Sequence, residues 1–252
     1  MFVITGITGK VGGIVADTLL NAELPVRALV RSAEKGAVLR VRGCEIALVP
    51  DASDAQSLAQ AFAGATAVFL MNPPNYDSQP GFPDVESSAT ATAAAIAKAK
   101  PRRIVFLSTV GAHVREFNLL NRSTIFEQML SGTGVPVAFV RAAWFMENAA
   151  WDLGGARAGR FESYLQPLDR KIDMVSTMDI GRVAADLLRQ EWSGVRTVEL
   201  SGPRKYSPRD EAAGFAAALG HAVEAIEVPR TEWEQRFRKE GMQHPEGSYA
   251  YA

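Results

Sequence analysis

Phe2-Val3-Ile4-Thr5-Gly6-Ile7-Thr8-Gly9-Lys10-Val11-Gly12 is the stretch that decides the fold. Phe2 to Thr5 is a short apolar and β-branched run without alternation, the pattern of a strand buried on both faces. Three glycines at G-x-x-G-x-x-G spacing follow at once. Val11, Ile14, Val15, Thr18, Leu19 and Ala22 then recur at helical spacing. A bound dinucleotide needs a tight turn, a backbone without Cβ where its phosphates approach, and close packing of helix on strand, which gives each glycine one task. The helix start adds free N–H groups and the positive end of its dipole. Gly6, Ile7, Thr8, Gly9, Lys10, Val11 and Gly12 are therefore the candidate phosphate cradle. A tight strand-to-helix turn would use the same glycines, but here strand, glycines and helix coincide within 22 residues. A bulky residue at Gly12 is expected to abolish binding while leaving the chain folded.

Outward from this turn, short apolar runs alternate with amphipathic stretches, as in βαβ units around a parallel sheet. The runs are Val26 to Val30, Ile46 to Val49, Val68 to Met71, Ile104 to Leu107 and Val137 to Val140. Ala55, Leu58 and Phe62 form a helical stripe after the candidate caps Ser53 and Asp54. Asp84 to Lys100 reads as an alanine-rich crossover helix that ends before Pro101. Beyond Arg141, Trp144, Phe145, Met146 and Trp151 crowd together ahead of Gly154, Gly155 and Gly159, suggesting a wall and a hinge. Asp179 is the expected cap of a helix carrying Ile180, Val183, Ala184, Leu187 and Leu188. Thr197 to Leu200 reads as a strand, and Pro208 to Leu219 as a helix stopped by Gly220. The expected architecture is α/β: a doubly wound parallel Rossmann sheet over 1–150 and a small α+β substrate lobe over 151–252, with a loose boundary and some shared elements.

Composition narrows the partners. The 252 residues are 47% hydrophobic and 22% charged, and Lys plus Arg at 27 nearly balances Asp plus Glu at 28. A net charge of -1 provides no field to draw in nucleic acid or an anionic membrane. Cys44 is the single cysteine, so neither an intramolecular disulfide nor a cysteine-based zinc site is expected. No metal-ligand spacing links His113, His221 and His244. Met1-Phe2-Val3-Ile4-Thr5 lacks the basic start and small-residue cleavage site of a signal peptide, so none is expected, and no apolar run approaches the ~20 residues of a spanning helix. A cytoplasmic protein is expected.

The ends of the later strands carry further candidates. Arg31 follows the second strand, where a dinucleotide-binding fold sets its ribose discriminator, with Lys35 one turn on. An acidic residue there would favour NAD(H). A guanidinium instead suits a 2′-phosphate, so NADP(H) is expected in preference to NAD(H), unless Arg31 is simply solvated. Asp51 is either an acceptor for the adenine amino group or a turn residue within Pro50-Asp51-Ala52-Ser53-Asp54. Met71-Asn72-Pro73-Pro74 follows the fourth strand on the same edge.

Together with these features, Phe106-Leu107-Ser108-Thr109-Val110-Gly111-Ala112, Glu127 to Val140, Arg141-Ala142-Ala143-Trp144-Phe145-Met146-Glu147-Asn148, Asp173 to Gly181 and Leu200-Ser201-Gly202-Pro203 mark the chain. It resembles the NmrA-like branch of the atypical short-chain dehydrogenase/reductases, close to its NAD(P)H:quinone oxidoreductase-like members. The resemblance implies that Gly6 to Gly12, Arg31, the loop Met71, Asn72 and Pro73, and the segment Ala142, Ala143, Trp144, Phe145, Met146 and Glu147 contact the dinucleotide, the last lying beside the nicotinamide. The Tyr-x-x-x-Lys pair of typical reductases is missing: no tyrosine occurs between Tyr76 and Tyr164. Ser123 stands where many relatives have a lysine four residues before the glutamate matching Glu127. Arg122 beside it cannot give up a proton at neutral pH. Thr109 and His113 are the remaining catalytic candidates, each with a plain alternative as strand-end cap and solvated loop histidine. Trp144, Phe145, Asn148 and Trp151 are the candidate substrate wall, or else core at a junction. Two functions stay open: reduction of a quinone-like planar small molecule by direct hydride transfer, and non-catalytic NADP(H) sensing as the family's name-giving member implies. A homodimer is the default assembly. The chain ends at Tyr249-Ala250-Tyr251-Ala252, sooner than the resemblance implies.

Overall fold

A computed structural model of the chain describes residues 1–251; Ala252 lies outside the described residues. In chain order the first half runs β1 (Phe2–Ile4), α1 (Lys10–Asn21), β2 (Val26–Val30), α2 (Ala33–Val41), β3 (Glu45–Leu48), α3 (Ala55–Phe62), β4 (Ala67–Met71), α4 (Pro83–Ala99), β5 (Arg103–Thr109), α5 (Asn121–Ser131) and β6 (Val137–Ala142). The second half runs β7 (Trp144–Phe145), a 3-10 turn over Met146–Trp151, α6 (Leu153–Arg157), β8 (Arg160–Ser163), β9 (Ile172–Val175), α7 (Thr177–Arg189), β10 (Val195–Leu200), β11 (Lys205–Tyr206), α8 (Pro208–Leu219), β12 (Glu224–Glu227) and α9 (Trp233–Lys239).

The central sheet has seven strands in the order β10-β6-β5-β4-β1-β2-β3. All its pairings are parallel. Strands β1 and β4 are buried almost throughout, because helices cover both faces. On one face Val11, Val15 and Leu19 of α1 pack with Ile180, Ala184 and Leu188 of α7. On the other, Leu58 and Phe62 of α3, Ala89 and Ile96 of α4, and Phe126 and Leu130 of α5 fill the second core. Strand order reverses between β1 and β4, so their carboxyl ends open a crevice, the usual ligand site of such sheets.

Residues beyond 150 divide between two bodies. Helix α7 lies against α1 so closely that a Cβ on Gly181 would stand 2.5 Å from Ile14 Cγ2, and β10 extends the central sheet beside β6. Elsewhere β12 and β8 pair in parallel under α8, around a small core of Phe161, Ala212 and Ala225. Strands β11, β9 and β7 form a third sheet joining the two bodies.

Three expectations need correction. Asp179 is not the cap of α7: Ser176 is, its hydroxyl accepting from the Asp179 amide at 3.0 Å, because the helix begins three residues earlier than expected. Helices α2 and α5 are additional to the elements expected from sequence. Neither shows a clean apolar stripe: α2 leaves Val38 and Val41 exposed, and α5 buries Arg122, Ser123 and Glu127 beside Phe126 and Leu130 on its core face. Of the two candidate caps before α3, Asp54 does the work, accepting from Gln56 N and Ser57 N.

Candidate functional site

Gly6 turns the chain out of β1 with φ +60, and Gly9 N donates to Gly6 O at 2.9 Å. A Cβ on Gly6 would lie 2.1 Å from Met71 Sδ, so the turn sits against the end of β4. A Cβ on Gly12 would lie 2.3 Å from Gly6 O and 2.6 Å from Gly6 C. Gly12 is thus required by the backbone of the turn itself, and a bulky residue there must displace the turn. This corrects the expectation that such a change leaves the fold untouched. Gly9 occupies the N-cap of α1 with an extended backbone and offers no side-chain cap. The first amides of α1 are left for a ligand, at the positive end of a twelve-residue helix. Ile7 and Val11 are buried in the core, so only their backbones face this turn, while Thr8 and Lys10 are exposed.

The turn forms one wall of a cavity of about 500 Å³. Thr5, Gly6, Thr8 and Gly9 line it from β1, Val30, Arg31 and Lys35 from β2 and α2, Asp51 from beyond β3, and Met71, Asn72, Pro73 and Pro74 from beyond β4. Four strand ends therefore bring the sequence-predicted residues together. Arg31 and Lys35 are exposed, and among the described residues neither is held in a hydrogen bond or ion pair. Asp51 accepts from Ser53 N at 2.8 Å and from Ser53 Oγ at 2.7 Å, both on Oδ1. These bonds hold its carboxyl below the ordinary value and fix a turn, while the residue still lines the cavity.

The loop after β4 is held from beneath. Arg122 is 6% exposed, and its guanidinium donates to Pro73 O at 2.8 Å and to Asn75 O, with Asp84 at 3.9 Å. Asn72 Nδ2 donates to Ser123 Oγ at 3.2 Å, and Asn72 Oδ1 is buried without a protein partner. The carboxylate of Asp77 accepts from Gln243 N at 2.9 Å and His244 N at 2.6 Å, strapping the C-terminal segment over the same loop. A second buried knot joins α5 to β5 and β6: Glu127 accepts from Ser108 Oγ at 2.6 Å and, on both oxygens, from Arg141 at 3.0 and 2.7 Å. None of these partnerships was foreseen from sequence. The only sequence signal was the presence of charged residues on an otherwise apolar helix face.

The segment from Ala142 to Trp151 lies outside the lining of this cavity. Ala142 and Ala143 are buried, and Phe145 packs on the first core. Trp144 and Trp151 are exposed and meet edge to face, with ring centroids 6.4 Å apart. Met146 is exposed and Asn148 half-buried. The segment touches the glycine turn through Lys10 Nζ, which donates to Glu147 O at 3.3 Å. The Glu147 carboxylate points elsewhere, to Thr177 at the start of α7. Thr109 Oγ1 donates to Val110 O at 3.0 Å, His113 is exposed on the loop beyond β5, and neither lines the cavity. Among the described residues no three His, Cys, Asp or Glu side chains cluster as a metal would require, and no helix is long and apolar enough to cross a membrane.

The cavity fits a dinucleotide on its own terms. It has a turn where a Cβ would strike backbone, uncapped helix amides, two uncommitted cations and a buried acceptor without a donor. A (4-alkanoyl-5-oxo-2,5-dihydrofuran-3-yl)methyl phosphate reductase of Streptomyces griseus is 32% identical over 90% of this chain and 77% of its own length. An NAD(P)H azoreductase of Xenophilus azovorans is 26% identical over 96% of this chain and 82% of its own. Among solved structures, an NADPH-dependent quinone oxidoreductase from Escherichia coli complexed with NADPH superposes with a TM-score of 0.83 at 22% identity, over 99% of this chain and 86% of that one. The Citrobacter triphenylmethane reductase complexed with NADP(H) gives the same TM-score and identity, over 99% and 88%. With the sequence profile of the NmrA-like family matched across residues 1–245, over the glycine turn, all seven strands of the central sheet and the lobe that follows, the chain belongs to the NmrA-like family.

Proposed function

We propose that this chain is an NADPH-dependent oxidoreductase that reduces a quinone or a similar planar acceptor by direct hydride transfer. The observation that carries the reading is the convergence of the glycine turn, Arg31, Lys35 and the Met71 to Pro74 loop on one cavity, with no acidic residue at the Arg31 position. Gly6 to Gly12 would hold the pyrophosphate on the amides of α1, Arg31 and Lys35 the 2′-phosphate, and Asn72 Oδ1 a ligand hydroxyl or amine. When bound, the reduced nicotinamide supplies the hydride. Trp144, Phe145, Asn148 and Trp151 would form the acceptor wall, the two tryptophans meeting at a right angle. No acid is held ready for a carbonyl, since the Thr109 hydroxyl is committed to Val110 O. An acceptor that needs orientation more than a tuned proton donor suits such a site. The two relatives named above as reductases support the oxidoreductase class.

The committed Thr109 hydroxyl also favours the second reading, an NADP(H) sensor without turnover. Stopped-flow mixing of the NADPH complex with a soluble benzoquinone separates the two. Loss of reduced-nicotinamide absorbance well beyond the protein-free control is expected, with Thr109→Val, His113→Ala and Ser123→Ala each costing less than the roughly 10²- to 10⁴-fold of a lost general acid. No loss beyond the control, with tight NADPH binding, makes the chain a sensor.

A further inference from the structure

Glu147 ties the acceptor wall to two helix starts at once. Its carboxylate accepts from Thr177 N at 2.9 Å on each oxygen and from Thr177 Oγ1 at 2.7 Å. Thr177 is 3% exposed and opens the thirteen-residue α7, so the carboxylate closes the positive end of that helix in a partly buried setting. The same residue's carbonyl accepts from Lys10 Nζ at 3.3 Å, and Lys10 opens α1, the helix whose first amides face the cavity. The two helices are themselves locked, because Gly181 of α7 leaves no room for a Cβ against Ile14 and Val11 O of α1. Glu147 therefore stands between the edge-to-face tryptophans and a rigid pair of helices. The turn it belongs to runs over Met146–Trp151, with no buried residue of its own to anchor it.

We propose that Glu147 is a positioning residue: it braces the Trp144 to Trp151 wall against α7 and α1, fixing where an acceptor rests relative to the glycine turn. This rests on the acceptor-reducing function argued above. The brace assigns Glu147 to the wall and leaves the dinucleotide to the turn, Arg31 and the β4 loop. Without it the wall keeps its aromatic rings but loses a charge-assisted tie to α7, and small misplacements of reacting groups cost on the order of a hundredfold in rate.

The test compares wild type with Glu147→Ala and Glu147→Gln. It reads NADPH affinity by fluorescence titration, kcat and KM for a soluble benzoquinone, and amide hydrogen exchange of the peptide covering 144–151. For Glu147→Ala, a roughly ten- to hundredfold fall in kcat/KM is expected. NADPH affinity should stay within about twofold, and exchange across 144–151 should be faster by about tenfold. Glu147→Gln, which still accepts from Thr177 N, should recover most of both effects. If Glu147→Ala does not fold, Thr177→Val, which removes the hydroxyl tie, is expected to give the same pattern more weakly. Weakened NADPH binding with unchanged wall exchange would make Glu147 a cofactor contact and overturn the brace. So would unchanged kcat/KM and exchange, or a loss of thermal stability alone. Faster wall exchange in Glu147→Ala, in a wild type that reduces no acceptor, would leave the brace standing and overturn the proposed reduction.

Discussion

On the proposed function, Arg31 is the side chain that would decide cofactor choice. Its guanidinium is exposed on the cavity rim and uncommitted among the described residues, so it can meet a 2′-phosphate without first breaking a protein contact. Charge-assisted hydrogen bonds contribute about 1.5–3 kcal/mol each, so Arg31→Ala is expected to weaken NADPH about ten- to a hundredfold and leave NADH nearly unchanged. Parallel titrations of the two cofactors read this directly, and an equal loss for both would remove the 2′-phosphate assignment. The glycines divide differently. At Gly9 a Cβ meets only Gly6 O, at 3.2 Å, whereas at Gly12 it strikes two backbone atoms of the turn. Gly9→Val should therefore weaken NADPH at least tenfold with little change in melting temperature, and Gly12→Val should lower both. Calorimetry beside the same titration distinguishes them. Gly12→Val melting at the wild-type temperature would mean the turn is looser than its packing indicates.

At the scale of elements, α5 shapes the cavity without being part of its main wall. Its first turn buries Arg122, and a buried guanidinium is costly unless its donors are satisfied, so the carbonyls of Pro73 and Asn75 are drawn toward it. The loop carrying Asn72 takes its form from that pull. A lysine there is a point charge and cannot serve the two carbonyls as a planar fork does. Arg122→Lys is therefore expected to weaken NADPH by roughly tenfold and to cost about 1–3 kcal/mol of stability. Denaturant unfolding and cofactor titration measure the two effects, and normal affinity in a folded Arg122→Lys protein would show that the loop holds its shape alone.

In the molecule as a whole, stability depends on pH through a contact inside the lobe, where α6 meets α8. The carboxyls of Asp152 at the start of α6 and Glu211 on α8 are half-buried neighbours that feel each other's charge. Burial raises Asp152 to about 6, and burial with the neighbouring Asp152 charge raises Glu211 to about 7. Ordinary values of 3.8 and 4.5 apply once the chain unfolds. The folded protein thus holds more protons than the unfolded chain between those values, and stability falls as pH rises through about 4 to 7, then levels off. Melting temperature should decline from about pH 4 to about pH 7. Glu211→Gln keeps the shape of the side chain and removes the second charge, so it should remove most of the decline and melt a few degrees higher at the alkaline end, at about 2–4 °C per kcal/mol. A flat wild-type profile, or an unchanged slope in the variant, would contradict the coupling of the two half-buried carboxyls.

The sequence by itself determined the central strands β1, β2, β4, β5 and β6, the glycine turn and the edge of the sheet where Arg31 and Asn72 gather. Each is written locally: a strand covered on both faces must be a continuous apolar run, and a turn that leaves no room for a Cβ must be glycine. Only the tertiary structure decided that α7 and β10 return to the first sheet, and that Arg122 reaches Pro73 across 49 residues and Asp77 reaches His244 across 167. It also decided that the Glu147 carboxylate closes α7, 30 residues further along the chain. Long charged side chains bond wherever burial leaves them a partner, and burial follows from packing between distant segments, which no local period or spacing encodes.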